Sequence, residues 1–279
     1  MNSLDIKRKA AILSLLCEGN SIASTCRITG AAKNTVIKLL LEVGEACDAY
    51  QDRVLRNLNC QRVQCDEIWS FVGSKEKNTS KSAKKNGHGD AWTWTAIDAD
   101  SKLIVSWLVG ARDGGYAEDF MKDVAARLAN RVQLTTDGHK PYLQAIESAF
   151  ENEIDYAQLI KVYGPPADRT DRRRYSPAEC SGSVIGKTIG TPDFDHISTS
   201  YVERQNLTMR MSMRRFTRLT NAFSKKLANH EAAVALHFMH YNFCRQHKTL
   251  RVTPAMQAGI SDYIWSMEDV LNMVETMDR

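Results

Sequence analysis

Arg62-Val63-Gln64-Cys65-Asp66-Glu67-Ile68-Trp69-Ser70-Phe71-Val72 alternates as a half-buried strand does: Val63, Cys65, Trp69 and Phe71 fall on one side, Gln64, Asp66 and Ser70 on the other. Asp66 therefore sits on the polar side and Glu67 among apolar neighbours. Alternation alone leaves open which of the two acids is functional. Downstream, a strand is expected over residues 91–97 and a further one of continuous apolar character over 103–109, joined by the turn Asp98-Ala99-Asp100-Ser101. Residues 73–90 carry Lys75, Lys77, Lys81, Lys84 and Lys85 without an apolar pattern and read as a mobile hairpin tip.

A helix is expected over residues 116–129, with Phe120, Val124 and Leu128 inward. Val132-Gln133-Leu134-Thr135-Thr136 then reads as a strand running into Asp137-Gly138, with Pro141 opening the next helix. That places Asp137 at the carboxyl end of a strand, where open α/β sheets bind ligands. Asp-Gly is also common in turns for conformational reasons alone. Residues 154–163 supply a fifth strand, and residues 164–199, rich in Pro, Gly, Asp and Arg and including Asp171-Arg172-Arg173-Arg174, read as an inserted loop.

Next comes Tyr201-Val202-Glu203-Arg204-Gln205-Asn206-Leu207-Thr208-Met209-Arg210, one carboxylate in an otherwise basic helix. Val202, Met209, Met213 and Phe216 supply a buried stripe, while Arg204, Arg210, Arg214, Arg215 and Arg218 crowd the remaining surface. Residues 200–251 hold ten Lys or Arg against two Glu, a local excess of +8 in a chain of net charge +4. Such a patch neutralises phosphates, and a carboxylate inside it can hold a divalent metal over a phosphodiester; the bland alternative is a Glu–Arg pair on a solvated helix.

Ahead of the first strand, Ile6, Ala10, Leu13 and Cys17 mark a helix, and Ser21 caps a second carrying Ile22 and Cys26. After Thr29-Gly30 a third helix turns Val36, Leu40 and Val43 inward and Lys33, Asn34, Thr35 and Lys38 outward. A helix, a glycine turn and a helix opening on short polar and basic residues can present donors to the major groove, although a tri-helical packing module has the same pattern. This segment resembles the helix-turn-helix of bacterial resolvases and transposases.

At 279 residues, 43% hydrophobic and 25% charged, the chain is long enough for a full core and a small second domain. Its seven cysteines form no C-x-x-C pair, which argues against a disulfide framework or a cysteine zinc ribbon and fits reduced thiols. No apolar run reaches the ~18 residues of a membrane span and no hydrophobic signal core opens the chain, so a soluble, cytoplasmic, nucleoid-associated protein is expected. His230, His237, His240 and His247 lack the acid or cysteine to complete a metal set and read as core or as DNA-backbone contacts. Beyond Asp262 the tail is acidic, either a helix packed on a partner subunit or a solvated end.

The order of three antiparallel strands, helix, strand ending in Asp, helix, strand, insertion and helix with Glu resembles the ribonuclease H-like core of DDE transposases and integrases. More narrowly, Asp66-Glu67-Ile68-Trp69-Ser70-Phe71-Val72-Gly73, Thr136-Asp137-Gly138 and residues 201–210 resemble the three catalytic blocks of the insertion-sequence-1 family of bacterial transposases. Tyr241-Asn242 with His247, Leu250, Thr253 and Pro254 resembles the end of many integrase-like cores. The resemblance covers most of residues 60–255. It implies an α/β fold with a mixed five-stranded sheet and flanking helices over 60–255, a helix-turn-helix domain over 1–50 and an acidic segment over 256–279. It implies that Asp66, Asp137 and Glu203 are the triad and metal ligands, with Arg210 in the basic position seven residues on. Two Mg2+ ions about 3.5–4 Å apart, replaceable by Mn2+, would then serve cleavage and strand transfer on double-stranded DNA by a homo-oligomer. Glu67, Asp98 and Asp100 are the rival ligands. Two departures from the founding members stand out: 65 residues separate Asp137 from Glu203, a much longer spacing, and their N-terminal cysteine zinc motif is missing. A DNA-binding regulator without activity and a nuclease without strand transfer are the alternative functions.

Overall fold

The computed structural model describes residues 4–164, 180–217 and 220–277. Three helices come first, α1 (Ile6–Cys17), α2 (Ile22–Thr29) and α3 (Lys33–Val54). Ser21 Oγ accepts from the Ser24 N–H to start α2, and Gly30, at φ 67°, ends it in the left-handed region that favours glycine. The α/β part follows as β1 (Arg62–Val72), α4 (Lys81–Lys85), β2 (Gly89–Asp98), β3 (Ile104–Gly110), α5 (Gly114–Arg127), β4 (Gln133–Thr136), α6 (Pro141–Phe150), β5 (Asp155–Tyr163) and β6 (Cys180–Ile189). Helices α7 (Ser200–Ser212), α8 (Leu227–Met239), α9 (Pro254–Gln257) and α10 (Met267–Met277) complete the chain.

The strands form one six-stranded mixed sheet in the order β3-β2-β1-β4-β5-β6. β1 to β3 and the β5–β6 pair are antiparallel, whereas β1, β4 and β5 run parallel. The first five strands are consistent with the ribonuclease H-like arrangement. The sixth was not expected. β6 lies in the stretch read as an inserted loop, and its residues, Val184 and Ile185 included, are nearly all exposed, so it carries no burial period to be read. The Asp171–Arg174 stretch lies outside the described residues.

Helices cover the sheet on both sides. Phe120 of α5 and Tyr142 of α6 pack on Trp94 of β2, on the side to which Glu67 points. On the opposite side His230 of α8 meets Ser70, and Phe238 meets Trp107 at 5.1 Å. This second cover corrects the alternation reading of β1: Gln64 and Ser70 are buried at 3% exposure, while Trp69 and Phe71 are only half-buried. Gln64 Oε1 accepts the N–H groups of Tyr201 and Val202, satisfying first-turn donors that α7 has no side-chain cap to fill. One buried amide thus docks α7 against β1.

Helix α3 runs on past residue 50 and packs along α8, and buried Gln51 donates to the Ala235 carbonyl. In the acidic C-terminal segment the apolar face of α10 packs within the chain, burying Met267, Val270, Leu271, Met273 and Val274 against α1 and α3, while Asp262, Glu268 and Glu275 stay exposed. Residues 73–90 also hold more order than expected, with a turn at Glu76–Asn78, α4 capped by Ser80, and a Lys84–Glu76 ion pair.

Candidate active site

β1 and β4 run parallel with Cys65 opposite Thr136, so Asp66 and Asp137 stand level, one at mid-strand and the other just past the end of β4. Their neighbours hold them. Asp66 accepts from the Glu67 N–H at 2.8 Å and from Asn206 Nδ2 at 2.8 Å, while Asp137 accepts from the His139 N–H at 2.9 Å. Glu203, in the first turn of α7, accepts from Thr199 Oγ1 at 2.7 Å and pairs with Lys161 of β5. Asp66, Asp137 and Glu203 line one open cleft of about 730 Å³, together with Arg112, His139 and Lys161.

Carboxylate oxygens of Asp66, Glu67 and Asp137 lie within 4.8 Å of one another, a group able to hold a metal ion. Glu203 shares the cleft but stands outside that tighter group. The donors are hard oxygens, as Mg2+ and Mn2+ prefer. His139 Nε2, at the cleft wall, is buried without a hydrogen-bond partner. Acids crowded in this way fit a divalent cation. Burial, then Glu67 and Asp137, push the Asp66 carboxyl from 3.8 up to about 7.

Glu67 differs from Asp66 in having both oxygens committed. Its Oε1 accepts from Arg112 and its Oε2 from the Tyr142 hydroxyl at 2.9 Å, with the side chain fully buried. Burial raises its pKa, with Asp137 adding to the rise and Arg112 and Tyr142 opposing it. The Arg112 guanidinium also lies 3.6 Å from Asp137 and over the Trp92 ring. Asp98 and Asp100, the other rivals, serve the β2–β3 turn: Asp98 binds the Ser101 N–H and hydroxyl, and Asp100 pairs with Arg62.

A raised carboxyl pKa has a defined consequence for stability. Between pH 4 and 7 the native Asp66 binds more protons than the unfolded chain, so its contribution falls as pH rises through that window and is level above it. In EDTA, Asp66→Asn is expected to melt a few degrees above the parent at pH 8, the gap closing toward pH 4. Added Mg2+ should raise the parent's Tm more at pH 8 than at pH 6 and leave the variant unmoved. Thermal unfolding across pH checks both; a pH-independent gap would mean that Asp66 is ionised throughout.

The residues expected to touch DNA are dispersed. Lys33, Asn34, Thr35 and Lys38 are exposed on the first turns of α3, and Lys33 and Asn34 line a second cleft of about 970 Å³ that also includes Arg214, Phe223 and Lys225. Arg204 and Arg214 are exposed. Arg215 is half-buried and donates to Ser224 Oγ and the Asn229 carbonyl, an internal commitment. Arg210, two turns beyond Glu203, does not line the acidic cleft. Arg218 lies outside the described residues. His230 and His237, at 0% and 3% exposure, are core residues rather than backbone contacts; His230 is bound by Ser70 and Ser224.

Arg112, Asn206 and Lys161 escaped the sequence reading. Lys161 left a signal, a lone cation among Leu159, Ile160 and Val162; Arg112, two residues past a strand end, left none.

The sequence matches no protein-family model and no curated protein. Among solved structures, a piggyBac transposase synaptic complex with hairpin DNA aligns over 99% of this chain and 72% of its own, at 9% identity and a TM-score of 0.40. A pre-cleavage Mos1 transpososome aligns over 86% of this chain and 79% of its own, at 10% identity and a TM-score of 0.25. Overlaps that loose carry no weight here, and the site rests on its own geometry.

Proposed function

We propose that this protein is a DDE transposase related to the insertion-sequence-1 family, which binds the ends of its element and carries out metal-dependent strand cleavage and strand transfer. The observation that supports it is the convergence of Asp66, Asp137 and Glu203, from three distant segments, on one open cleft. Asp66, Asp137 and Glu203 would hold divalent cations, Mg2+ or Mn2+, which when bound activate the attacking oxygen and stabilise the leaving oxygen. The chain's own groups do the rest. Asn206 and the Glu67 N–H orient Asp66, and His139 does so for Asp137. Arg112 and Lys161 balance the carboxylates and are placed to meet phosphate oxygens at the cleft. Lys33, Asn34, Thr35 and Lys38, in a helix-turn-helix domain over 1–50, take the element end, while Arg204, Arg210, Arg214 and neighbouring cations position phosphates. Joining two ends makes a homo-oligomer on DNA the working unit.

The test is incubation of the purified chain with its element's end DNA and Mg2+, beside Glu203→Gln. A 3′ nick at the boundary and joined product are expected from the parent, with a loss on the order of 10³-fold or more in the variant. DNA binding without cleavage by either protein, in Mg2+ or Mn2+, would instead identify a regulator. Cleavage without joining would identify a nuclease.

A further inference from the structure

The side of the sheet that carries Glu67 has a second part, outside the acidic cleft. Trp94 and Glu67 are buried beneath α5 and α6, but Trp69 and Phe71, next along the same side of β1, are half-buried. So is Trp92, which pairs with Trp69 across β1 and β2. The row continues through neighbouring rings: Trp69 and Phe71 lie 5.7 Å apart at 36°, and Phe71 and Phe223 4.8 Å apart at 32°. Phe223 is half-buried as well, so each ring of the row keeps part of its surface open to solvent.

Each ring carries a cation. Arg112 Cζ lies 4.9 Å from the centre of Trp92, Lys75 Nζ lies 5.6 Å from Trp69 and 5.9 Å from Phe71, and Lys225 Nζ lies 3.8 Å from Phe223. Two acids lie nearby: Asp90, opposite Phe71, is exposed and accepts from the Glu76 N–H, and Glu76 pairs with Lys84. The ends of the row matter as much as its composition. At one end Arg112 also binds Glu67 and Asp137 in the acidic cleft. At the other, Phe223 and Lys225 line the cleft shared with Lys33 and Asn34 of α3.

We propose that Trp92, Trp69, Phe71 and Phe223 form a stacking platform for unpaired bases of a single DNA strand, running between the α3 cleft and the acidic cleft. Bases stack on aromatic faces without sequence preference while lysines and arginine take the phosphates. A blunt duplex keeps its base faces hidden and does not use the platform. The assignment rests on the DNA-processing reading above, yet it concerns binding and needs no cleavage.

The test is fluorescence anisotropy in EDTA with a labelled short oligothymidylate and a blunt duplex of equal length, using the full chain. The parent is expected to bind the oligothymidylate with quenching of tryptophan emission. Trp69→Ala and Phe223→Ala should each weaken that binding on the order of tenfold, with Trp69→Phe nearer the parent and duplex affinity changed less than about twofold. The salt dependence should stay unchanged in the ring variants, because their phosphate contacts remain. If Trp69→Ala does not fold, Phe223→Ala, at the rim of the row, decides. Parent-like oligothymidylate binding by folded ring variants would show the row to be a packing cluster beneath lysine stems and overturn the platform. An equal loss for the duplex would overturn it as well. A Glu203→Gln result that sinks the cleavage reading leaves the oligothymidylate binding as it is, so the two failures are separable.

Discussion

Asp137→Asn is expected to lower Mg2+-dependent DNA cleavage on the order of 10³-fold or more and to abolish the rise in Tm that Mg2+ produces. The substitution keeps the shape of the side chain and the acceptor for the His139 N–H, so only the charge and one metal-binding oxygen are lost. Removing one negative charge from the Asp66–Glu67–Asp137 group also relieves repulsion, so the metal-free variant should be at least as stable as the parent. Glu67→Gln provides the contrast. Its carboxylate is already engaged by Arg112 and Tyr142, and a loss of about tenfold is expected from a loosened Arg112 rather than from a missing ligand. Cleavage rates and Mg2+ titrations by thermal shift for both variants decide the matter. Equal, large losses would make Glu67 a ligand in its own right.

Gly44→Val is expected to destabilise the fold by about 3 kcal/mol or more, lowering Tm by roughly 6–12 °C for a chain of this size. Glycine in a helix interior ordinarily costs about 1 kcal/mol against alanine, so its presence in α3 needs a reason. The reason is α8. A Cβ on Gly44 would sit 2.5 Å from both Ala232 Cβ and the Ala232 carbonyl oxygen, far inside van der Waals contact and against backbone that cannot rotate away. Even Gly44→Ala should therefore lower Tm despite its better helix propensity. Gly114→Ala, where an added Cβ meets nothing within 4 Å, is the control and should be within about 0.5 kcal/mol of the parent. Calorimetry of the three variants measures the difference; a Gly44→Ala variant more stable than the parent would mean that α3 and α8 part easily.

How much was legible differs from element to element. β1 and α5 announced themselves through period-2 and period-3.6 patterns and β3 through a continuous apolar run, whereas α4, which buries no side chain, left no such signal. β6 carries almost no buried side chain, and its pairing with β5 is made by backbone groups that every residue type shares. The polar side of β1 was misread because alternation marks two faces without saying which is covered. Gln64 and Ser70 are polar and buried, each satisfied by a partner more than a hundred residues away in α7 or α8.

By itself the sequence determined the strand-end position of Asp137, the lone Glu203 in a basic helix, the exposed opening of α3 and the buried stripe of Val202 and Met209, while the choice of Asp66 over Glu67 came from the family resemblance. The first four are local facts of period, turn chemistry and charge. Only the tertiary structure decided that the three acids share a cleft, that Glu67 is sequestered by Arg112 and Tyr142, that Lys161 answers Glu203, and that Trp69 and Phe71 stay half-open beside Phe223. Those outcomes depend on pairings at least 42 residues apart in the chain, set by which elements the packed sheet brings together, and no local pattern carries that information.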